Sequence, residues 1–288
     1  MKLLVFGEIG QLGQELIRRA GDVALEVRGL EEADFTNPAS CVGFIEATDA
    51  DAVINAVAYT AVDKAEEQED LALQINGTTP ALMAKAAAAR GLPFVQVSTD
   101  YVFDGSGDQP FTPDHPTGPL GAYGRTKLAG EEGVIQAGGA YAILRTSWVV
   151  SSHGHNFVKT MLRLGKERDA LTIVADQIGG PTPAAGLADA CIGAAKGLLE
   201  DPEGKTGIYH CSGGPDVSWA DFAREIFAQA GIDCAVTDIP SSDYPTPAVR
   251  PLNSRMDCTT LTTVLGVPRP DWRAGLSDIL NDLGERST

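Results

Sequence analysis

The chain has 288 residues, 43% of them hydrophobic, and a formal net charge of −17. That length supports one large domain or two interleaved ones around a sizeable core. The charge leaves no basic footprint for nucleic acid, and no run of about 18 apolar residues is present to span a membrane.

The pattern opens with an apolar run at residues 2–6, as in a strand buried on both faces of a parallel sheet. Gly7-Glu8-Ile9-Gly10-Gln11-Leu12-Gly13 follows. Gly7 suits the sharp turn, Gly10 allows close approach of a pyrophosphate, and Gly13 allows the next helix, residues 11–20, to pack on the strand. The free N–H groups at that helix start suit phosphate. Glu8 is unfavourable beside a pyrophosphate unless it points to solvent. A second strand is predicted at 23–27. Glu26 would favour NADH by accepting from ribose hydroxyls, whereas Arg28 would favour NADPH by pairing with a 2′-phosphate, so the choice stays open. Asp34-Phe35 in the next loop is placed to flank the adenine.

Further strands are predicted at 51–56, 92–98 and 140–144, with helices at 38–48, 71–90 and 121–136. This alternation predicts a Rossmann-like, doubly wound parallel α/β sheet, with ligands beyond the carboxyl ends of its strands. Residues 7–13, 55–60, 98–103 and 145–148 would converge there. Past residue 150 the pattern is less regular. Gly179-Gly180-Pro181-Thr182-Pro183 breaks the chain before a helix at 183–199. Ser218 caps a helix at 218–231, with Asp221 three residues on. Residues 241–253, rich in proline, read as a long loop. The expected division is a dinucleotide-binding domain at 1–150, with residues 183–200 packing back on it, and a smaller, loop-rich substrate domain at 151–288.

Tyr123 and Lys127 are four residues apart, on one face if helical. An ammonium beside a phenol lowers its pKa from about 10, which makes a usable general acid. Thr99, at the sheet edge after residues 94–97, adds a hydroxyl. Asp100 is placed to hydrogen-bond a sugar hydroxyl. The five scattered cysteines read as reduced thiols. Asn76-Gly77-Thr78 reads as a chance glycosylation sequon. Of the four histidines, His153 and His155 lie close but lack a third ligand, so no metal site is expected.

Together these segments make the chain similar to the dTDP-4-dehydrorhamnose reductase family of the extended short-chain dehydrogenase/reductase superfamily. The carriers are residues 7–13, 55–66, 98–105, 123–131, 144–149, 156–161, 176–182 and 250–254, spanning nearly the whole length. The resemblance implies that Thr99, Tyr123 and Lys127 are catalytic. It implies that Gly10, Gln11 and Leu12 meet the pyrophosphate, Asp34 and Phe35 the adenosine, and that Ala58, Tyr59 and Thr60 line the cofactor cleft. Asp100, Tyr101 and Trp148 would contact a sugar nucleotide. The implied reaction is NADPH- or NADH-dependent reduction of the C4 ketone of dTDP-4-dehydro-6-deoxy-L-mannose, giving dTDP-L-rhamnose.

Dehydratases of the superfamily resemble Thr-Asp-Glu where this chain has Thr99-Asp100-Tyr101, which disfavours an elimination or an epimerase reading. A non-catalytic regulator, similar to that of methionine adenosyltransferase, is the reading from another class. Some family members are dimers linked by magnesium through glutamates. Glu15 is present here, but Pro183-Ala184-Ala185-Gly186 offers no second glutamate. A cytoplasmic monomer, or a dimer that needs no metal, is expected, with no nucleic-acid or membrane partner.

Overall fold

The computed structural model describes residues 1–287. Six parallel strands form the central sheet: β1 (Lys2–Phe6), β2 (Ala24–Arg28), β3 (Ala52–Asn55), β4 (Phe94–Thr99), β5 (Tyr141–Thr146) and β6 (Gly207–His210). Their order is β6-β5-β4-β3-β1-β2. The strand order reverses direction between β1 and β3, so the crevice at a topological switch point opens beyond their carboxyl ends.

Alternation along the strands decides the two core layers. Leu3 and Val5 face one side with Ile54 and Leu144, under Leu187, Cys191 and Leu198. Those three sit on helix Ala184–Glu200, which packs on helix Gln11–Arg19. Leu4 and Phe6 face the other side, with Ile45, Met83, Phe94 and Ile143. A third cluster gathers Val158, Met161, Phe222, Ile226, Trp272 and Leu276. It joins helices Phe157–Glu167, Trp219–Ala230 and Trp272–Leu283. The first and last of these helices, and β6, are elements that the sequence pattern did not reveal. Ser218 caps Trp219–Ala230 as expected, accepting from Asp221 N–H.

The helix expected over 71–90 is broken. It runs as α-helix Glu69–Leu73, a π-turn Gln74–Thr78 and α-helix Thr79–Ala89. Pro80 is the physical reason, since it has no N–H to give and its ring clashes with the carbonyl four residues earlier. The wider turn carries Asn76 inward, fully buried, and π-turns of this kind often mark functional sites.

Candidate active site

Gly7 has φ +111°, open only to glycine without strain. A Cβ on Gly13 would collide with the Gly7 carbonyl oxygen, so the glycine lets the helix seat on the turn. Gly10 precedes helix Gln11–Arg19, with no side-chain cap and open space above it. The helix ladder begins with Gln14 N–H donating to Gly10. The N–H groups of Gln11, Leu12 and Gly13 therefore precede the ladder and suit an anion. Gln11 and Leu12 present only their backbone N–H groups at this turn. The Gln11 side chain is turned to the second half, accepting from Ser151 and Asn156, each at 2.9 Å. Leu12 is in the core.

At the end of β3 the loop 58–60 is fixed by Asn76. Its Oδ1 accepts from Tyr59 N–H at 2.8 Å, and its Nδ2 donates to the Tyr59 carbonyl and to Thr126. The Tyr59 hydroxyl donates to Gln68. Asn76 was read from sequence as a chance sequon. Its role depends on a contact 17 residues back and another 50 residues on, which no local signal carries.

The four residues expected on the adenosine side have partners within the chain. Glu26 is consumed by Arg28 at 2.6 Å, Lys2 at 3.0 Å and Thr48 at 3.0 Å. Arg28 is held in turn by Glu26 and Glu32 and lies over the Phe44 ring. The Phe35 ring is buried edge-on against Phe6 at 6.1 Å, so its face is given to the core. Asp34 caps its own turn, accepting from Thr36 N–H and hydroxyl.

Thr99 ends β4, and its hydroxyl donates to Asp100 at 3.0 Å while accepting from Tyr101 N–H. Asp100 is 3% exposed, and its Oδ2 has no partner among the described residues. Burial pushes its pKa up to about 6. Tyr123 sits in the first turn of helix Ala122–Gln136, whose Ala122 N–H is capped from outside by Glu66 at 2.9 Å. Gly124 lets this helix press onto the Tyr101 carbonyl. The Tyr101 and Tyr123 rings meet edge to face at 5.4 Å.

Thr99, Tyr123 and Lys127 come together here, but not as the expected phenol–ammonium pair. Lys127 is 2% exposed and donates to the Val97 carbonyl at 2.7 Å. Burial lowers its pKa to about 8. Burial pushes Tyr123 up to about 12, with only the Thr99 hydrogen bond opposing. Desolvation of the phenolate outweighs the ammonium that the four-residue spacing suggested.

Beneath them Glu131 and Arg145, each at most 2% exposed, form a bidentate pair. Ser98 also donates to Glu131.

A cavity of 720 Å³ adjoins this region. Its walls include Tyr101, Trp148, Trp219, Gln177, Arg168 and Arg250. Among the described residues Trp148 alone, apart from glycines, has a positive φ, 48°. That strained conformation is compensated by stacking on Trp219 at 3.6 Å, which in turn donates to Gln177. Arg250 is paired with Asp63 at 2.8 Å, while its Nη1 is buried without a partner. Asp63 also accepts from Ala248 N–H, tying the loop after residue 240 to the first half. Trp219, Asp63 and Arg250 were not singled out as site residues in the sequence, since only long-range folding brings them to the cavity.

Glu15 points inward, 1% exposed, between Arg18 at 3.0 Å and His153 at 3.2 Å. Among the described residues no group of three or more potential metal ligands gathers. No helix among them is long and apolar enough to cross a membrane.

The family described as RmlD substrate binding domain matches residues 1–285. The chain is 41% identical to the dTDP-4-dehydrorhamnose reductase of Salmonella typhimurium, over 100% of both chains. A crystal structure of a dTDP-4-dehydrorhamnose reductase from Clostridium acetobutylicum is similar at a TM-score of 0.92 and 38% identity, covering 99% of this chain and 100% of that one. One from Bacillus anthracis, in complex with NADP, is similar at a TM-score of 0.89 and 33% identity, covering 98% and 99%.

Proposed function

The chain belongs to the RmlD substrate binding domain family, and from that premise we propose that it reduces the C4 ketone of dTDP-4-dehydro-6-deoxy-L-mannose to dTDP-L-rhamnose, with NADPH or NADH. The observation that carries this reading is the meeting of Thr99, Tyr123 and Lys127 at the carboxyl edge of β4. Of the two buried carboxyls near them, Glu131 is neutralised by Arg145, which leaves Asp100, followed by Tyr101 rather than a second acid. That set suits proton donation better than elimination.

The glycine turn fits a dinucleotide. Its helix start is open and uncapped, and its backbone tolerates no Cβ at Gly13. Gly10, Gln11, Leu12 and Gly13 would hold the pyrophosphate through N–H groups, and Ala58, Tyr59 and Thr60 would flank the cleft. When bound, the reduced nicotinamide supplies the hydride.

The protein's own groups supply the rest. Tyr123 stays a neutral phenol at physiological pH and donates its proton to the oxygen on C4. Thr99, whose hydroxyl proton rests on Asp100 in the free site, turns it to the same oxygen as charge develops, and Lys127 adds positive charge nearby. Asp100, with one oxygen unpartnered, accepts from a sugar hydroxyl. Arg250 and Arg168 offer positive charge to the substrate's diphosphate within a strongly acidic protein. On this reading residues 1–150 bind the dinucleotide and 151–288 mainly the sugar nucleotide.

A coupled assay tests the proposal. Loss of reduced-nicotinamide absorbance is expected with dTDP-4-dehydro-6-deoxy-L-mannose, and absence of turnover with either cofactor overturns it.

Trp148→Ala is expected to weaken sugar-nucleotide binding by about 1–3 kcal/mol. Its indole forms one wall of the cavity and stacks on Trp219. Titration calorimetry with dTDP, set beside a thermal melt, checks this. A large loss of stability with unchanged affinity would make the indole structural.

The same reading includes a monomer or a metal-independent dimer. Glu15 is already paired inside the chain, which leaves it little freedom to bridge two copies through a cation. Sedimentation is expected to be identical with magnesium and with EDTA, and dissociation on chelation would refute it.

A further inference from the structure

The first residue after β2, Gly29, is buried, although it lies where an adenosine ribose would reach the sheet edge. It is covered by the side chain of Glu8, which reaches across from the glycine turn. A Cβ built on Gly29 would lie 2.6 Å from the Glu8 Oε2 and 3.7 Å from the Glu8 Cβ. The absence of a side chain at Gly29 is therefore what lets the Glu8 carboxylate settle at this position. The turn and the strand end are held together there by Gly7 N–H donating to the Arg28 carbonyl at 3.0 Å.

The cations here are already paired: Lys2 with Glu26 at 3.0 Å, and Arg28 through both terminal nitrogens, its Nε alone lacking a partner among the described residues. Arg28 Nη2 donates to Glu26 at 2.6 Å and Nη1 to Glu32 at 3.3 Å, with the guanidinium over Phe44. Glu8 is in no ion pair among the described residues, and it is exposed. The strand end therefore presents carboxylates in excess of cations, within a chain of net charge −17.

We propose that Glu8 selects a free 2′-hydroxyl over a 2′-phosphate on the adenosine ribose, so that this chain prefers NADH to NADPH. The inference rests on the dinucleotide reading of the glycine turn given above. A ribose hydroxyl can donate to the Glu8 carboxylate. A 2′-phosphate offers only acceptors and about two negative charges at neutral pH, against a carboxylate with no counter-ion. The selecting acid comes from the turn after β1, whereas in most dinucleotide folds it comes from the end of β2.

Direct binding tests this without turnover. Isothermal titrations of NADH and NADPH are run on wild type and on Glu8→Gln, which keeps the shape and hydrogen bonding but removes the charge. Wild type is expected to bind NADH about tenfold more tightly than NADPH, a gap that narrows as salt screens the repulsion. Glu8→Gln is expected to tighten NADPH by about tenfold and to change NADH by less than about threefold. Melting curves of the two proteins should coincide, because Glu8 is exposed. Equal affinities in wild type, or a gap that Glu8→Gln leaves unchanged, overturn the selection by Glu8. Failure of both nucleotides to bind overturns the dinucleotide reading itself, and the selection with it.

Discussion

Tyr123→Phe is expected to lower turnover by about 10²-fold or more while leaving nucleotide affinity near wild type. The substitution removes one oxygen and keeps the ring against Tyr101. Burial holds the phenol neutral, with a pKa pushed up to about 12, so at neutral pH every molecule carries the proton to be donated. The fall in activity at alkaline pH belongs to a different group. Lys127, lowered to about 8 by burial, loses its charge as pH rises through that value. Wild-type kcat/KM is therefore expected to fall above about pH 8, because the positive charge near the developing alkoxide disappears. Steady-state kinetics across pH, with nucleotide binding measured separately, check both statements. A phenylalanine variant with near-normal turnover would show that Tyr123 is only a packing residue.

Glu131→Ala is expected to destabilise the protein by about 3–5 kcal/mol, because it strands a buried cation. Arg145 donates to both Glu131 oxygens, at 3.0 and 2.6 Å, and also to the Pro113 carbonyl. Its guanidinium lies 4.9 Å from the Phe103 ring centroid. None of these other contacts can neutralise the charge. For a chain of this size the midpoint of thermal unfolding should drop by about 10 °C. The double replacement Glu131→Leu with Arg145→Met should recover much of the loss, since removing both charges removes the desolvation cost as well. Denaturant unfolding of the three proteins decides it. A single variant as stable as wild type would mean that water reaches the pair.

Much of the molecule was legible in its sequence for local reasons. Continuous apolar runs separated by helical stretches specify a parallel sheet with helices on both faces, because such strands must be covered twice. Gly7 and Gly13 mark their own geometry, since one has a backbone angle and the other a contact that a side chain would not tolerate. The spacing of Tyr123 and Lys127 followed from the helical repeat alone, and Thr99 from its place at the end of a strand.

The tertiary structure decided what depends on distant partners. Helix spacing brought Lys127 to the right face, but only the fold shows its ammonium on Val97 and its surroundings dry. Desolvation therefore raised the phenol's pKa where spacing had suggested a fall. Phe35 followed the general rule for aromatic side chains and went to the core, while Glu26 found three partners along the sheet edge. Asn76 and Glu8, small signals in the sequence, acquired their positions from a proline-widened turn and from a glycine 21 residues away in the chain. Periodicity fixes which face a residue occupies. The partners it meets there, and hence its charge and its role, are set by contacts between segments far apart in the chain.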